Sequence, residues 1–495
     1  MNLKNLQSPT SLLLSLLLLS AVSAHAQDKA TLDLLVKKNI ITQDEANSLA
    51  KSSGDPSVVA GPKDPNVKGL KIEGMIQAQY DGLTTKDKNP TAGVANPPAA
   101  NEFLLRRVQL GALADLGNGW GGEVLMDFGN PTGSSEPVAG PGAVATPAVG
   151  VTNQGVGSNL FEKVIITKKL DDLNGLLTVG YRKVDFTQEE IASSSVLKTP
   201  ERSIVSRYFD EAYGTDDSRR LGFANRHAGV FFNGTLPSVL DGFYYSGAVT
   251  DGSQNLNIQF TNPGGYDKFA FWAAAGEKNR VGDVQYDLGI NFGYTMDQNS
   301  QNAVKAAAAA AGPPATAAVL GLPNQNNSEW GFNPYVKLDY GNFEVSAEFE
   351  QVVVDEGKLN APLPAATGAN SATNANFSTA TPYGYQATIS YKFTPEWEVV
   401  GRYAYLDTNG RGTNISDVAR DANNTVDGGG STNFYNDADS FYAGVNYYFI
   451  GTSVKVSVGY EYDQFRDREV GALGSAFNAG STNVEGVRAQ LQLQF

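Results

Sequence analysis

From Leu70 to the final Phe495 the sequence repeats one pattern: short stretches in which apolar and polar residues alternate with a period of two. A strand sends successive side chains to opposite faces, so each stretch builds a ribbon with one greasy face and one wet face. Leu70, Ile72, Gly74, Ile76, Ala78 and Tyr80 share one face, and Lys71, Glu73, Met75, Gln77, Gln79 and Asp81 the other. The last stretch sets Val487, Ala489, Leu491, Leu493 and Phe495 against Gly486, Arg488, Gln490, Gln492 and Gln494. Such stretches fall at 70–80, 103–116, 120–129, 160–169, 175–185, 224–235, 242–250, 268–275, 283–295, 329–340, 343–354, 382–393, 397–407, 439–449, 453–463 and 484–495, predicting about sixteen strands. The alternation is weakest at 160–169, 224–235 and 268–275, where both faces hold apolar residues.

The connections discriminate between folds. Tight turns at Gly117-Asn118-Gly119, Gly341-Asn342, Thr394-Pro395-Glu396 and Gly451-Thr452 alternate with polar segments of roughly 17 to 38 residues, against a usual loop of about 4–6. A soluble sandwich gives loops no reason to alternate in length. An outer-membrane barrel does, with short turns at one rim and long loops at the other. Trp120, Tyr340, Phe343, Phe393, Trp397, Phe449 and Phe495 stand beside the short turns, as an aromatic girdle at a membrane edge requires. A ten-residue strand rising about 3.3 Å per residue and tilted about 40° spans roughly 25 Å, the height of the apolar band. The expected fold is therefore all-β: a transmembrane antiparallel β-barrel over residues 70–495, with both chain ends at the short-turn rim.

The N-terminal region follows other rules. Lys4, the apolar run Leu12 to Leu19 and Ala24-His25-Ala26 predict a signal peptide over residues 1–26, and hence export to the outer membrane of a Gram-negative-type bacterium. Leu32, Leu35 and Val36, then Thr42 with Glu45 as a capping box, predict a short periplasmic helical segment over 27–50. Residues 51–69, with Gly54, Pro56, Gly61, Pro62 and Pro65, read as a linker.

Composition narrows the chemistry. The chain has 52 acidic against 37 basic residues and no cysteine, which disfavours nucleic acid and removes thiol nucleophiles and zinc-finger ligand sets. With the leader removed, His227 is the only histidine, and no G-x-S-x-G motif accompanies it. No enzyme activity, metal or cofactor is expected.

Several motifs carry a resemblance. Phe103-Leu104-Leu105-Arg106-Arg107-Val108-Gln109-Leu110-Gly111, then Gly117-Asn118-Gly119-Trp120 and Asp127-Phe128, resemble the second and third strands of the phosphate-selective porin O and P family. Gly180-Tyr181-Arg182-Lys183-Val184-Asp185-Phe186, with Glu189, Ser193-Ser194-Ser195 and Glu201-Arg202-Ser203, is similar to that family's fifth strand and its entry into an inward-folded loop. The ending Gln490 to Phe495 resembles the close of many barrels handled by the barrel assembly machinery. The resemblance implies a homotrimer of sixteen-stranded barrels, each pore narrowed by its third long loop, in contact with outer-membrane lipid and lipopolysaccharide. It also implies passage of small inorganic ions or anionic solutes.

The loop over 187–223 is long enough to be functional and carries Lys198, Arg202, Arg207, Arg219 and Arg220. Strand alternation places Arg107 in the lumen and Arg106 outward, toward lipid phosphates or a neighbouring subunit. Arg182 faces inward by the same rule, with Lys183 snorkelling near the loop. Together with Lys71, Arg402 and Lys455 these form the candidate solute path. The wet face is mixed: Glu73, Asp81, Glu123, Asp127, Glu344, Glu348, Glu350, Glu398, Glu461 and Asp463 against Lys71, Arg107, Arg182, Lys337, Lys392, Arg402, Lys455 and Arg488. Rings of basic residues favour anions and rings of acidic ones cations, so an anion or phosphate preference and weakly selective or cation-leaning diffusion both stay open. A surface adhesin or structural barrel without channel activity is the alternative, on loops such as Ala306 to Ala318 and Asn370 to Asn376.

Overall fold

Sixteen strands form a closed antiparallel barrel. They are Gly69–Asp87, Ala100–Gly117, Trp120–Asp127, Phe161–Leu170, Gly175–Lys183, Arg226–Thr235, Phe243–Asp251, Phe269–Val281, Val284–Thr295, Glu329–Tyr340, Phe343–Leu359, Tyr383–Lys392, Trp397–Asp407, Phe434–Ile450, Val454–Glu469 and Thr482–Gln494. The structure, a computed structural model, describes residues 58–59, 68–87, 100–129, 161–211, 220–238, 240–252, 269–296, 328–359, 377–415, 419, 434–469, 477–478 and 480–495. The expected leader, the helical segment, most of the linker, Arg219 and the loop stretches 306–318 and 370–376 lie outside them.

The chain divides into two compact units. In the first, Met1–Glu73 with Ala112–Asn118, Val58 and Val59 pair with Lys71 and Leu70, and the Lys68 N–H donates to the Asp115 carbonyl at 2.8 Å. The second, Gly74–Gly111 with Gly119–Phe495, closes on itself. Its seam runs in register from Met75 opposite Gln494 to Asp87 opposite Thr482, and Gly74 and Phe495 exchange both backbone hydrogen bonds at 2.9 and 3.0 Å. Closure leaves neither terminal strand with an unpaired edge. A Cβ at Gly74 would meet the Phe495 ring at 2.4 Å, so a larger residue there would displace that ring.

Burial along the strands is inverted relative to a soluble protein. On the last strand Leu491 is 51 % exposed while Gln492 is 0 % exposed. This is the burial pattern of a barrel built to meet lipid on its outer face, with the polar face turned inward. The girdle residues named above are all exposed on the outer face. Several strands also outrun the alternation at the long-loop end. Asp437 stands opposite Asp407, for example, because above the apolar band pairing continues without a greasy outer face.

The inner face is not uniformly wet. Phe186, Ile204, Val205, Tyr208, Phe209 and Phe223, from the segment between Lys183 and Arg226, pack in one buried cluster with Phe231, Trp272, Val352, Leu406 and Phe465 of the wall. Each large side chain removed from water contributes about 1.5–3 kcal/mol. Phe223 and Trp272 centroids lie 5.2 Å apart, and Phe186 and Phe223 5.1 Å. This explains the blurred alternation at 224–235 and 268–275: Phe231 and Trp272 point inward because an apolar partner awaits them. His227 belongs to the same region, with Nδ1 2.8 Å from the Asp251 carbonyl and its ring 5.1 Å from Trp272, which is a structural setting.

Candidate functional site

The segment from Val184 to Glu211 is bonded to the inner face of the wall by the side chains that the alternation turns inward. It contains two short helices, Gln188–Ile191 and Ile204–Phe209. Irregular backbone leaves carbonyls that no strand ladder satisfies, and buried carbonyls need donors. The wall supplies them. Lys455 Nζ donates to the Leu197 and Ser195 carbonyls at 2.7 and 3.3 Å, Gln492 to Ser195 at 3.1 Å, and Asn446 to Lys198 at 3.0 Å. Arg402 Nη1 donates to the Glu201 carbonyl at 2.7 Å and Thr199 Oγ1 at 2.9 Å, and Gln490 to Pro200 at 3.2 Å.

The helices are held in the same way. Glu348 of the wall accepts from the backbone N–H groups of Gln188 and Glu189 at 2.9 and 3.2 Å, setting a carboxylate at the start of the first helix, where the dipole favours it. Ser203 caps the second helix, accepting from the Ser206 N–H at 3.2 Å. All six residues of that helix are buried, so it shows no amphipathic stripe.

Ion pairs complete the attachment. Arg202 Nε lies 2.9 Å from Glu190, whose carboxylate also meets Lys183 Nζ at 2.6 Å. Lys198 pairs with Glu398 at 2.7 Å, and Arg402 with Glu189 at 3.3 Å. Burial pushes the Glu189 carboxyl up, but Arg402 and the donors Ser203 and Ser206 outweigh it and hold the group below the usual carboxylate range. Burial likewise works against the Lys198 charge, and Glu344 with Glu398 reverses the balance and holds the ammonium above its usual range.

Most of the candidate basic residues meet partners within the described protein. Arg107 donates to Gln77 Oε1 at 2.7 Å; Arg182 meets Asp185 at 2.6 Å and lies over the Phe231 ring at 4.7 Å; Arg220 meets Glu211 at 3.2 Å. Arg207 is fully buried with Glu201 3.8 Å away. Lys71 is half-buried in the first compact unit, and Arg219 is not described. The other eight, Arg107, Arg182, Lys183, Arg202, Arg207, Arg220, Arg402 and Lys455, each engage an oxygen of the protein itself.

Arg106 corrects the sequence reading. Phe103 and Leu105 are exposed outward, and so is Leu110, five residues further on. An odd spacing between outward residues means that the alternation slips by one position, as at a β-bulge. Arg106 and Arg107 therefore both turn inward, and Arg106 binds Glu201 rather than lipid. Two adjacent arginines in an otherwise greasy-out strand were the available signal, since an outward one at mid-membrane costs about 2–4 kcal/mol.

The model of the phosphate-selective porin O and P family matches residues 72–495. The chain belongs to that family. The porin is also similar in fold to the outer-membrane channel DcaP of Acinetobacter baumannii, with 13 % identity, a TM-score of 0.45, and 88 % of this chain and 100 % of that one covered. The anion-selective porin from Comamonas acidovorans gives 10 %, 0.47, 86 % and 99 %; Salmonella typhi OmpF in complex with daunomycin gives 11 %, 0.48, 88 % and 100 %. A search of curated proteins found no match to the sequence. Family membership and the closed sixteen-stranded barrel make this protein an outer-membrane porin.

Proposed function

We propose that this porin passes small ions and solutes by passive diffusion with little charge preference, through a lumen narrowed by the segment between Lys183 and Arg226. The observation that carries the reading is the engagement of its basic residues. Arg202, Arg402 and Lys455 spend their donors on Glu190, Glu189 and backbone carbonyls of the segment. Binding an oxyanion there would require breaking buried pairs, at a cost of about 3–5 kcal/mol for each partner stranded. Charges nearer to water are balanced in pairs: Lys163 with Glu123 at 2.8 Å, and Lys337 with Glu344 at 3.4 Å. Such a wall presents neither an acidic nor a basic ring.

The rest of the reading is that the mature chain begins at Gln27, that it assembles as a homotrimer through the barrel assembly machinery, and that its outer face meets lipid and lipopolysaccharide. Planar-bilayer recording tests the channel. Purified protein is expected to give stable conducting steps whose size rises with salt concentration. A folded, heat-modifiable barrel that carries no current would instead support the adhesive or structural alternative.

A further inference from the structure

We infer that Arg106 is a positioning residue that fixes the width of the channel by clamping Glu201. The slip in alternation carries Arg106 inward, where Nε and Nη2 meet the two Glu201 carboxylate oxygens at 2.5 and 3.1 Å. Both side chains are almost wholly buried, at 7 % and 1 % exposure. A guanidinium fork on a carboxylate fixes orientation as well as distance. Gln79 Nε2 adds a third donor to the same carboxylate at 3.0 Å.

The residues around Glu201 are gripped from four strands. Arg106 and Gln79 hold its side chain from Ala100–Gly117 and Gly69–Asp87, Arg402 holds its carbonyl from Trp397–Asp407, and Gln490 of Thr482–Gln494 holds the Pro200 carbonyl. Of these only Arg106 is a charged group on the Glu201 carboxylate with bidentate geometry. Just before this grip, Ser195 and Leu197 are buried on the wall while Val196 between them is half exposed. The clamp thus acts with the Lys455 and Gln492 ties to hold the surface bearing Val196 against the wall. Loss of the clamp loosens the segment at Glu201 while the ties at Ser195, Leu197 and Lys198 remain, and conductance follows the freed motion.

The inference rests on the channel reading, which the wild-type recording tests separately. Single-channel records of Arg106→Ala and Glu201→Gln are expected to show a larger or fluctuating open level and admission of larger neutral sugars in liposome swelling, with heat-modifiability retained. The double variant should be no noisier than either single one, because both remove the same contact. Arg106→Lys should fall between, lacking the fork. Lys169→Ala, which breaks an exposed pair with Asp171 at a short turn, keeps the wild-type open level. If Arg106→Ala does not assemble, the nearly isosteric Glu201→Gln decides. Wild-type conductance and size limit in assembled Glu201→Gln would overturn the clamp, as would additive effects in the double variant.

Discussion

Arg488→Ala is expected to destabilise the barrel severely. Arg488 is 1 % exposed and joins three parts of the inner face: Nη1 lies 2.8 Å from Asp81, Nε 2.5 Å from Glu461, and Nη2 donates to the Ala419 carbonyl. Truncation leaves Asp81 and Glu461, both buried, without their cation. A carboxylate stranded in this way costs about 3–5 kcal/mol. The check is the temperature at which the folded band is lost on seminative electrophoresis, which should fall clearly for Arg488→Ala. Replacing the whole set with Arg488→Met, Asp81→Asn and Glu461→Gln should recover most of the loss, since a neutral set strands no charge. Lys86→Ala, which breaks an exposed pair with Glu485, should leave the temperature unchanged. An unchanged temperature for Arg488→Ala would mean that water reaches these carboxylates.

The second large effect concerns the apolar cluster on the inner face. Phe186 is fully buried against Phe223 and Trp272, so Phe186→Ala removes a side chain worth about 3–5 kcal/mol at a well-packed site. Most of that loss falls on the segment's attachment, because the wall strands keep their own ladders. Limited trypsin digestion of the assembled barrel should then cut after Arg202 or Arg207, both shielded in the wild type. Resistance equal to the wild type would show that polar ties alone hold the segment.

The sixteen strands were legible because a membrane barrel must repeat period two on every strand, and Gly117, Asn118 and Gly119, all with positive φ, marked a turn that only such residues make comfortably. What the segment binds was not legible. Lys455 and Gln492 read as generic wet-face residues, and nothing local in the sequence says that their donors meet carbonyls hundreds of positions away. The helix Ile204–Phe209 escaped notice because burial on all sides erases the periodicity that reveals a helix.

The tally of lumen charge counted residues singly, without their partners, for a related reason. Glu398, Glu461 and Asp81 counted as acidic wall, and Arg402, Arg488 and Lys455 as basic wall, yet Arg488 pairs with Asp81 and Glu461, Glu398 pairs with Lys198 of the segment, and Arg402 and Lys455 tie down backbone. Charge that a solute meets is what remains after internal pairing, and pairing is a tertiary property. Arg106 shows the limit of strict alternation itself: one extra residue in a strand reverses every facing assignment beyond it.

The zero-current potential of wild-type channels between unequal KCl solutions tests most directly whether the arginines brace the segment or receive solutes. Bracing predicts a small potential that does not favour chloride, and a current that added phosphate leaves unblocked. A large potential of the sign that marks chloride selectivity, together with block by phosphate, would contradict bracing and show that Arg202, Arg402 and their neighbours release their internal partners to bind anions.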